Sequence, residues 1–257
     1  MSCLLYCIFR SPAQPRPGIP PGVGGKPAFV VTRNGLSAGL SELAESDRVP
    51  DIPQILAYER VVEFFCRDLT IIPVRYGCQL EDARGALRLL ERHREEYSAL
   101  LDELEGLGEM GIHLLLDGSR DATENDALPV APQSFPLPCS SGAAYLAAKR
   151  QRYLGLDRLA LHERLLVDEV CGSLSGLFVR HKVEFPDSTR NQLLSLYFLV
   201  PRGYVESFRQ AARNLRSKEP VKLLLSGPWP PYNFVHSLET AILPPHASPE
   251  NSLPLKG

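Results

Sequence analysis

The sequence predicts an α+β protein of two domains, and three observations carry the prediction. Hydrophobic periodicity switches back and forth between the alternation of a strand and the 3–4 spacing of a helix. At 257 residues the chain has room for two cores of ordinary size. Its 23 prolines are unevenly spread, with fourteen in three clusters: Pro12, Pro15, Pro17, Pro20, Pro21 and Pro27; Pro129, Pro132, Pro136 and Pro138; Pro244, Pro245, Pro249 and Pro254. Proline fixes φ and lacks an N–H, so these clusters mark segments that are neither helix nor inner strand.

From the N-terminus, Cys3-Leu4-Leu5-Tyr6-Cys7-Ile8-Phe9 reads as a strand; it has no basic leader and runs into prolines, unlike a signal peptide. After the proline-glycine loop 11–27, Ala28 to Thr32 and Leu36 to Leu40 flank Asn34-Gly35, a strong hairpin signal. Ile55, Tyr58, Val62, Phe65 and Leu69 form one helical face, with Pro53 suited to its first turn. Thr70 to Gly77 is short, β-branched and broken by Pro73, which predicts an extended segment at an edge or in a loop. Leu80, Ala83, Leu87, Leu90, Tyr97, Leu101 and Leu104 follow a 3–4 spacing interrupted only at Arg94 and predict one helix of about 25 residues, or ~37 Å. It either covers a sheet or is offered to a partner. Met110, Ile112, Leu114 and Leu116 alternate as in a half-buried strand.

Residues 117–140 turn acidic and proline-rich, as in a linker. Residues 141–172 read as one long helix or two joined near Gly155. Phe178 to Phe185 is an alternating strand with Val179, His181, Val183 and Phe185 on one face. Leu193 to Val200 is a strand buried on both faces, and helix 203–216 and strand 221–225 follow. The expected map is an N-terminal α+β domain at 1–117, a linker at 118–140, a smaller C-terminal domain of α-β-β-α-β order at 141–242, and a flexible tail at 243–257.

Composition narrows the function. Hydrophobic residues at 44% and charged residues at 23% are ordinary for a globular protein. A net charge of −2 and a pI near 6.3 supply no positive field, so neither nucleic acid nor an anionic membrane surface is the expected partner. No apolar run approaches the ~20 residues of a spanning helix. Six scattered cysteines without a C-x-x-C pair fit reduced thiols in a cytosol. The close ligand pairs of a zinc site are missing, and no metal or cofactor is expected.

Catalytic and nucleotide motifs fail in detail. A Walker loop ending at Gly25-Lys26 needs Gly at position 20 and Ser or Thr at 27, where proline stands in both places. Gly172-Ser173-Leu174-Ser175-Gly176 has Leu174 where a nucleophile elbow needs serine. Glu59 and Glu63, one helical turn apart, have the spacing of an acid–base pair, against the reading that Glu63 pairs with Arg67 and Glu59 with Arg60 or Arg75. A small-ligand or enzymatic reading would use Glu59, Glu63, Arg75 and His181 in a cleft between the domains.

One segment is distinctive. In Leu225-Ser226-Gly227-Pro228-Trp229-Pro230-Pro231-Tyr232-Asn233-Phe234-Val235, three prolines stiffen a loop that holds the single tryptophan beside Tyr232 and Phe234. Rigid aromatics suit a recognition surface, whereas a core-plugging Trp229 is the structural alternative. Gly227 to Phe234 closely resembles the C-terminal signature of the gas vesicle accessory proteins GvpF and GvpL. Further similar pieces, in order, are Leu5-Tyr6-Cys7-Ile8-Phe9, Glu59-Arg60-Val61-Val62-Glu63, Ile72-Pro73-Val74-Arg75-Tyr76-Gly77, Glu109-Met110-Gly111-Ile112 and Gly142 to Arg150. The loop after the first strand, the linker and the tail depart from the family, and Tyr76 stands where Phe is common.

The resemblance implies two α/β domains, the first ferredoxin-like, and a non-enzymatic role in gas vesicle formation in the cytoplasm. It also implies association with the small, hydrophobic main shell protein, and with other accessory proteins, as an assembly factor or a minor vesicle component. Trp229, Tyr232 and Phe234, framed by Pro228, Pro230 and Pro231, are the candidate partner-binding residues.

Overall fold

The computed structural model describes residues 2–14, 17–44, 51–115, 161, 163–185, 193–215 and 222–235. The expected linker 118–140, the tail 243–257 and the helical stretch up to 160 lie outside the described residues. The fold is α+β, with two sheets.

The first sheet is built around β1 (Cys3–Arg10), buried along nearly its whole length. β2 (Ala28–Arg33) and β3 (Leu36–Glu42) form the predicted hairpin, with φ of 52° at Asn34 and 84° at Gly35, the two positive values a type I′ turn requires. β3 pairs antiparallel with β1, whose register shifts between Leu5 and Cys7. Along its other side β1 pairs antiparallel with β4 (Ile71–Pro73) and β5 (Gln79–Leu80), giving the order β2-β3-β1-β4 with β5 beside β4's end of the ladder. Between the two short strands, Leu5 N–H donates to Cys78 O and Val74 N–H to Tyr6 O, both at 3.0 Å, so the ladder has no gap.

Helix α1 (Ile52–Cys66) is capped by Asp51, which accepts from Gln54 N–H at 2.8 Å. Its Tyr58, Val61, Val62 and Phe65 pack on Leu4, Tyr6, Cys7 and Phe9. Ile55, expected on that face, is exposed in the first turn. Gly39 makes room for α1, since a Cβ there would meet the Phe65 ring at 3.1 Å.

The predicted 25-residue helix is instead two, α2 (Ala83–Arg92) and α3 (Arg94–Glu103), which pack on the strands of the same sheet. The break is His93, at φ −109° and ψ 24°, whose Nδ1 pairs with Glu96 at 3.0 Å in the next turn. Arg10 to Asp102 and Arg33 to Glu91 tie the pair to the sheet rim.

β6 (Leu107–Leu115) is buried through most of its length and is an inner strand of the second sheet, not the closing strand of the first domain. A strand buried on both sides needs two neighbours, and it finds them in β8 and β9. Helix α4 (163–173) precedes β7 (Arg180–Glu184), β8 (Leu193–Pro201), α5 (Val205–Arg213) and β9 (Lys222–Trp229), and the sheet order is β7-β8-β6-β9. Phe198, Phe208, Leu166, Val170, Ile112 and Leu196 centre its core.

β7 is an edge strand, and this corrects its expected apolar face. Val183 packs on the core, whereas Val179 and Phe185 are exposed. β9 also runs four residues past its predicted end.

Chain contacts divide the protein into two compact units, 1–109 with 227–257, and 110–226. The expected C-terminal domain at 141–242 is thus cut at Gly227, because the aromatic turn that follows β9 packs into the first core.

Candidate functional site

The site is the segment from the end of β9 through Val235. Gly227 takes φ 99°, which favours glycine, and the Gly227–Pro228 peptide is cis. Pro231, at φ −77° and ψ 58°, closes an inverse γ-turn in which Tyr232 N–H donates to Pro230 O at 2.7 Å. A 3₁₀ turn over Tyr232–Phe234 follows, with Phe234 N–H donating to Pro231 O at 3.1 Å. Two of the turn's three donors are therefore used internally, and the Asn233 N–H is left to find another acceptor.

That acceptor is Glu109, on β6. Its Oε2 accepts the Asn233 backbone N–H at 2.8 Å and its Oε1 accepts from Asn233 Nδ2 at 2.6 Å. Glu109 is only 4% exposed. A second carboxylate, Glu59 on α1, accepts from Tyr232 Oη at 3.3 and 3.4 Å. Burial raises the Glu59 pKa; the Tyr232 hydrogen bond offsets part of the shift and the charge of Glu63 adds to it. Burial, followed by the Glu59 charge, pushes the Tyr232 hydroxyl up as well.

The six candidate residues separate by exposure. Trp229 is 45% exposed and Pro228 is exposed beside it, whereas Pro230, Pro231 and Phe234 are buried. Tyr232 packs on the Tyr58 and Val62 cluster. The core plug is thus supplied by Tyr232, with Phe234 buried two residues on, and the tryptophan is left half exposed.

The polar residues of the ligand-binding reading are placed as follows. Glu59 has Tyr232 as its partner, a pairing that spacing along α1 could not reveal. Glu63 and Arg75 are exposed in the first unit. His181 is exposed on β7 in the second unit, with the Phe178 and Phe198 rings at 5.5 and 6.1 Å. No group of three or more His, Cys, Asp or Glu able to hold a metal occurs among the described residues. No helix among them is long and apolar enough to cross a membrane.

Sequence reasoning missed two groups. Glu109 appeared only as part of a similar strand, since a lone acid between apolar residues carries no sign of its partner. In the second unit, His113 lies between Ser195 Oγ, 3.0 Å from Nδ1, and Ser226 Oγ, 3.4 Å from Nε2, and burial lowers its pKa. Gly111 admits this arrangement, since a Cβ there would crowd Ser226 Oγ.

A family model described as gas vesicle synthesis protein GvpL/GvpF matches residues 2–236. Gas vesicle protein F of a Streptomyces species is 25% identical over 243 residues, 91% of this chain and 100% of that protein. Gas vesicle protein L1 of Halobacterium salinarum is 22% identical over 252 residues, 90% and 89% of the two chains. In fold, the crystal structure of GvpF from Anabaena sp. PCC7120 matches with a TM-score of 0.70 at 17% identity, over 91% of this chain and 98% of that one. The GvpF structure from Microcystis aeruginosa matches at 0.66 and 14% identity, over 91% and 98%.

Proposed function

The chain belongs to the GvpL/GvpF family of gas vesicle synthesis proteins, and from this premise we propose that it binds the hydrophobic main shell protein and assists gas vesicle nucleation and assembly. A shell subunit that exposes apolar surface before it assembles is prone to aggregate, and a soluble partner covering that surface reversibly keeps it competent. The role is one of binding, exercised in the cytoplasm at the growing vesicle.

The observation that carries this reading is Trp229, a large aromatic held half in solvent directly before the buried Pro230 and Pro231. Tyr232 and Phe234 secure the turn while Trp229 and Pro228 make the contact. A turn already ordered before binding loses little entropy on association, so more of the indole's burial appears as affinity. The strand order β2-β3-β1-β4, with each neighbouring pair antiparallel, supports a ferredoxin-like first unit in which the loop 11–27 replaces the first crossover helix.

The test is co-purification with the main shell protein. Trp229→Ala is expected to lower recovery by about thirtyfold or more, the scale of a central aromatic anchor of ~2 kcal/mol. Unchanged recovery by a folded variant removes the turn from the interface.

A further inference from the structure

We propose that Glu109 is the positioning residue of this interface, a two-pronged acceptor that fixes where the turn presents Trp229. The inference rests on the binding role of Trp229 just given.

Each prong follows from the chemistry of the turn. Pro230 and Pro231 have no N–H, and the Tyr232 and Phe234 donors are spent on Pro230 O and Pro231 O. Only the Asn233 backbone N–H points outward, and its side-chain amide supplies a second donor. A carboxylate is the acceptor that takes both without presenting a donor of its own. At 2.8 and 2.6 Å these contacts are in the charge-assisted range, whereas the Glu59–Tyr232 contacts at 3.3 and 3.4 Å are long. Glu109 therefore sets the position of the turn, and Glu59 steadies it. Burial of Glu109 keeps water from competing for either prong.

The geometry makes a specific demand on substitutions. Glu109→Gln keeps shape but removes the charge: one oxygen still accepts the Asn233 backbone N–H, the new amide must be met by the Asn233 side-chain oxygen turned toward it, and neither bond is charge-assisted any longer. Asn233→Asp places two carboxylates against each other. Combined, the two changes are complementary again: the Gln oxygen accepts the backbone N–H and its amide donates to the new carboxylate.

Trp229 is the single tryptophan, so its emission reports the turn directly. In the full chain, each single variant is expected to red-shift the emission, increase acrylamide quenching and reduce shell-protein capture about tenfold. The double variant is expected to restore all three. Asn233→Ala, which removes one prong and leaves the backbone bond, serves should either single variant fail to fold, and is expected to give a smaller shift of the same sign. Unchanged emission in the singles, or no recovery in the double, overturns the positioning role of Glu109. Emission that shifts and recovers while capture stays constant sustains that role and instead overturns the assignment of Trp229 to the interface.

Discussion

Tyr58 shows how much of the first core depends on one hydroxyl. Its Oη donates toward the carbonyls of Val74 and Leu5, the latter at 3.0 Å, while its ring stacks on Tyr6 at 4.7 Å and meets Tyr76 edge-on at 5.2 Å. Tyr58→Phe leaves these buried carbonyls short of a donor and is expected to cost about 1–3 kcal/mol, read from urea denaturation. Tyr6 plays the same part for the loop 11–27: its Oη accepts Val23 N–H at 3.0 Å and pairs with Ser41 Oγ at 2.8 Å, and it leaves no space for a Cβ on Gly22. Glu59 behaves differently. Its pKa is raised on folding, so its contribution to stability is present below the unfolded carboxylate value near 4.5 and is lost as pH rises through the higher folded value. Glu59→Gln keeps an acceptor for Tyr232 without the charge. The variant is expected to melt above the wild type at pH 8 and level with it at pH 4. An equal difference at both values would show that ionisation of Glu59 is not the cause.

At the scale of elements, local chemistry was readable and partner choice was not. Asn34-Gly35 defines its turn from two residues alone, and Asp51 and Asp82 stand at the N-caps of α1 and α2. The break at His93 coincides with the one interruption of the apolar spacing, at Arg94, but Leu90 and Tyr97 are seven residues apart and stay in phase across it, so the pattern still reads as one helix. The position of β6 was equally hidden: alternation shows which side chains of a strand are buried, and the residues that bury them lie far along the chain, in α4, β8 and α5. The same limit applies to the site, where spacing marked the aromatics but not that Tyr232 turns inward and Trp229 stays half exposed. In α3, the fully buried Tyr97 hydroxyl has no hydrogen-bond partner among the described residues. Tyr97→Phe is therefore expected to be neutral or stabilising by about 1 kcal/mol in thermal melts. A clear loss of stability would mean that this hydroxyl has an acceptor after all.

At the scale of the whole molecule, the described residues include two cores with separate members, one around Tyr58 and Phe65, the other around Phe198 and Phe208. Phe65→Ala and Phe208→Ala are each expected to cost about 3–5 kcal/mol to the unit that contains them. Because Trp229 belongs to the first unit, its unfolding transition should move with Phe65→Ala. With Phe208→Ala it should stay in place while the far-ultraviolet dichroism transition moves. Coincident shifts by both probes in both variants would mean that the units unfold as one. The division of the first unit between 1–109 and 227–257 also has a consequence for its birth on the ribosome. Glu109 leaves the exit tunnel well ahead of Asn233, and at about 5–20 residues per second the interval is roughly 6–25 s. Throughout that time the nascent first unit waits without its closing turn while the entire second unit is being synthesised. The segment that completes the binding surface is thus also the last described piece of the chain to be made, so a polypeptide that stops short of Asn233 leaves the surface unfinished.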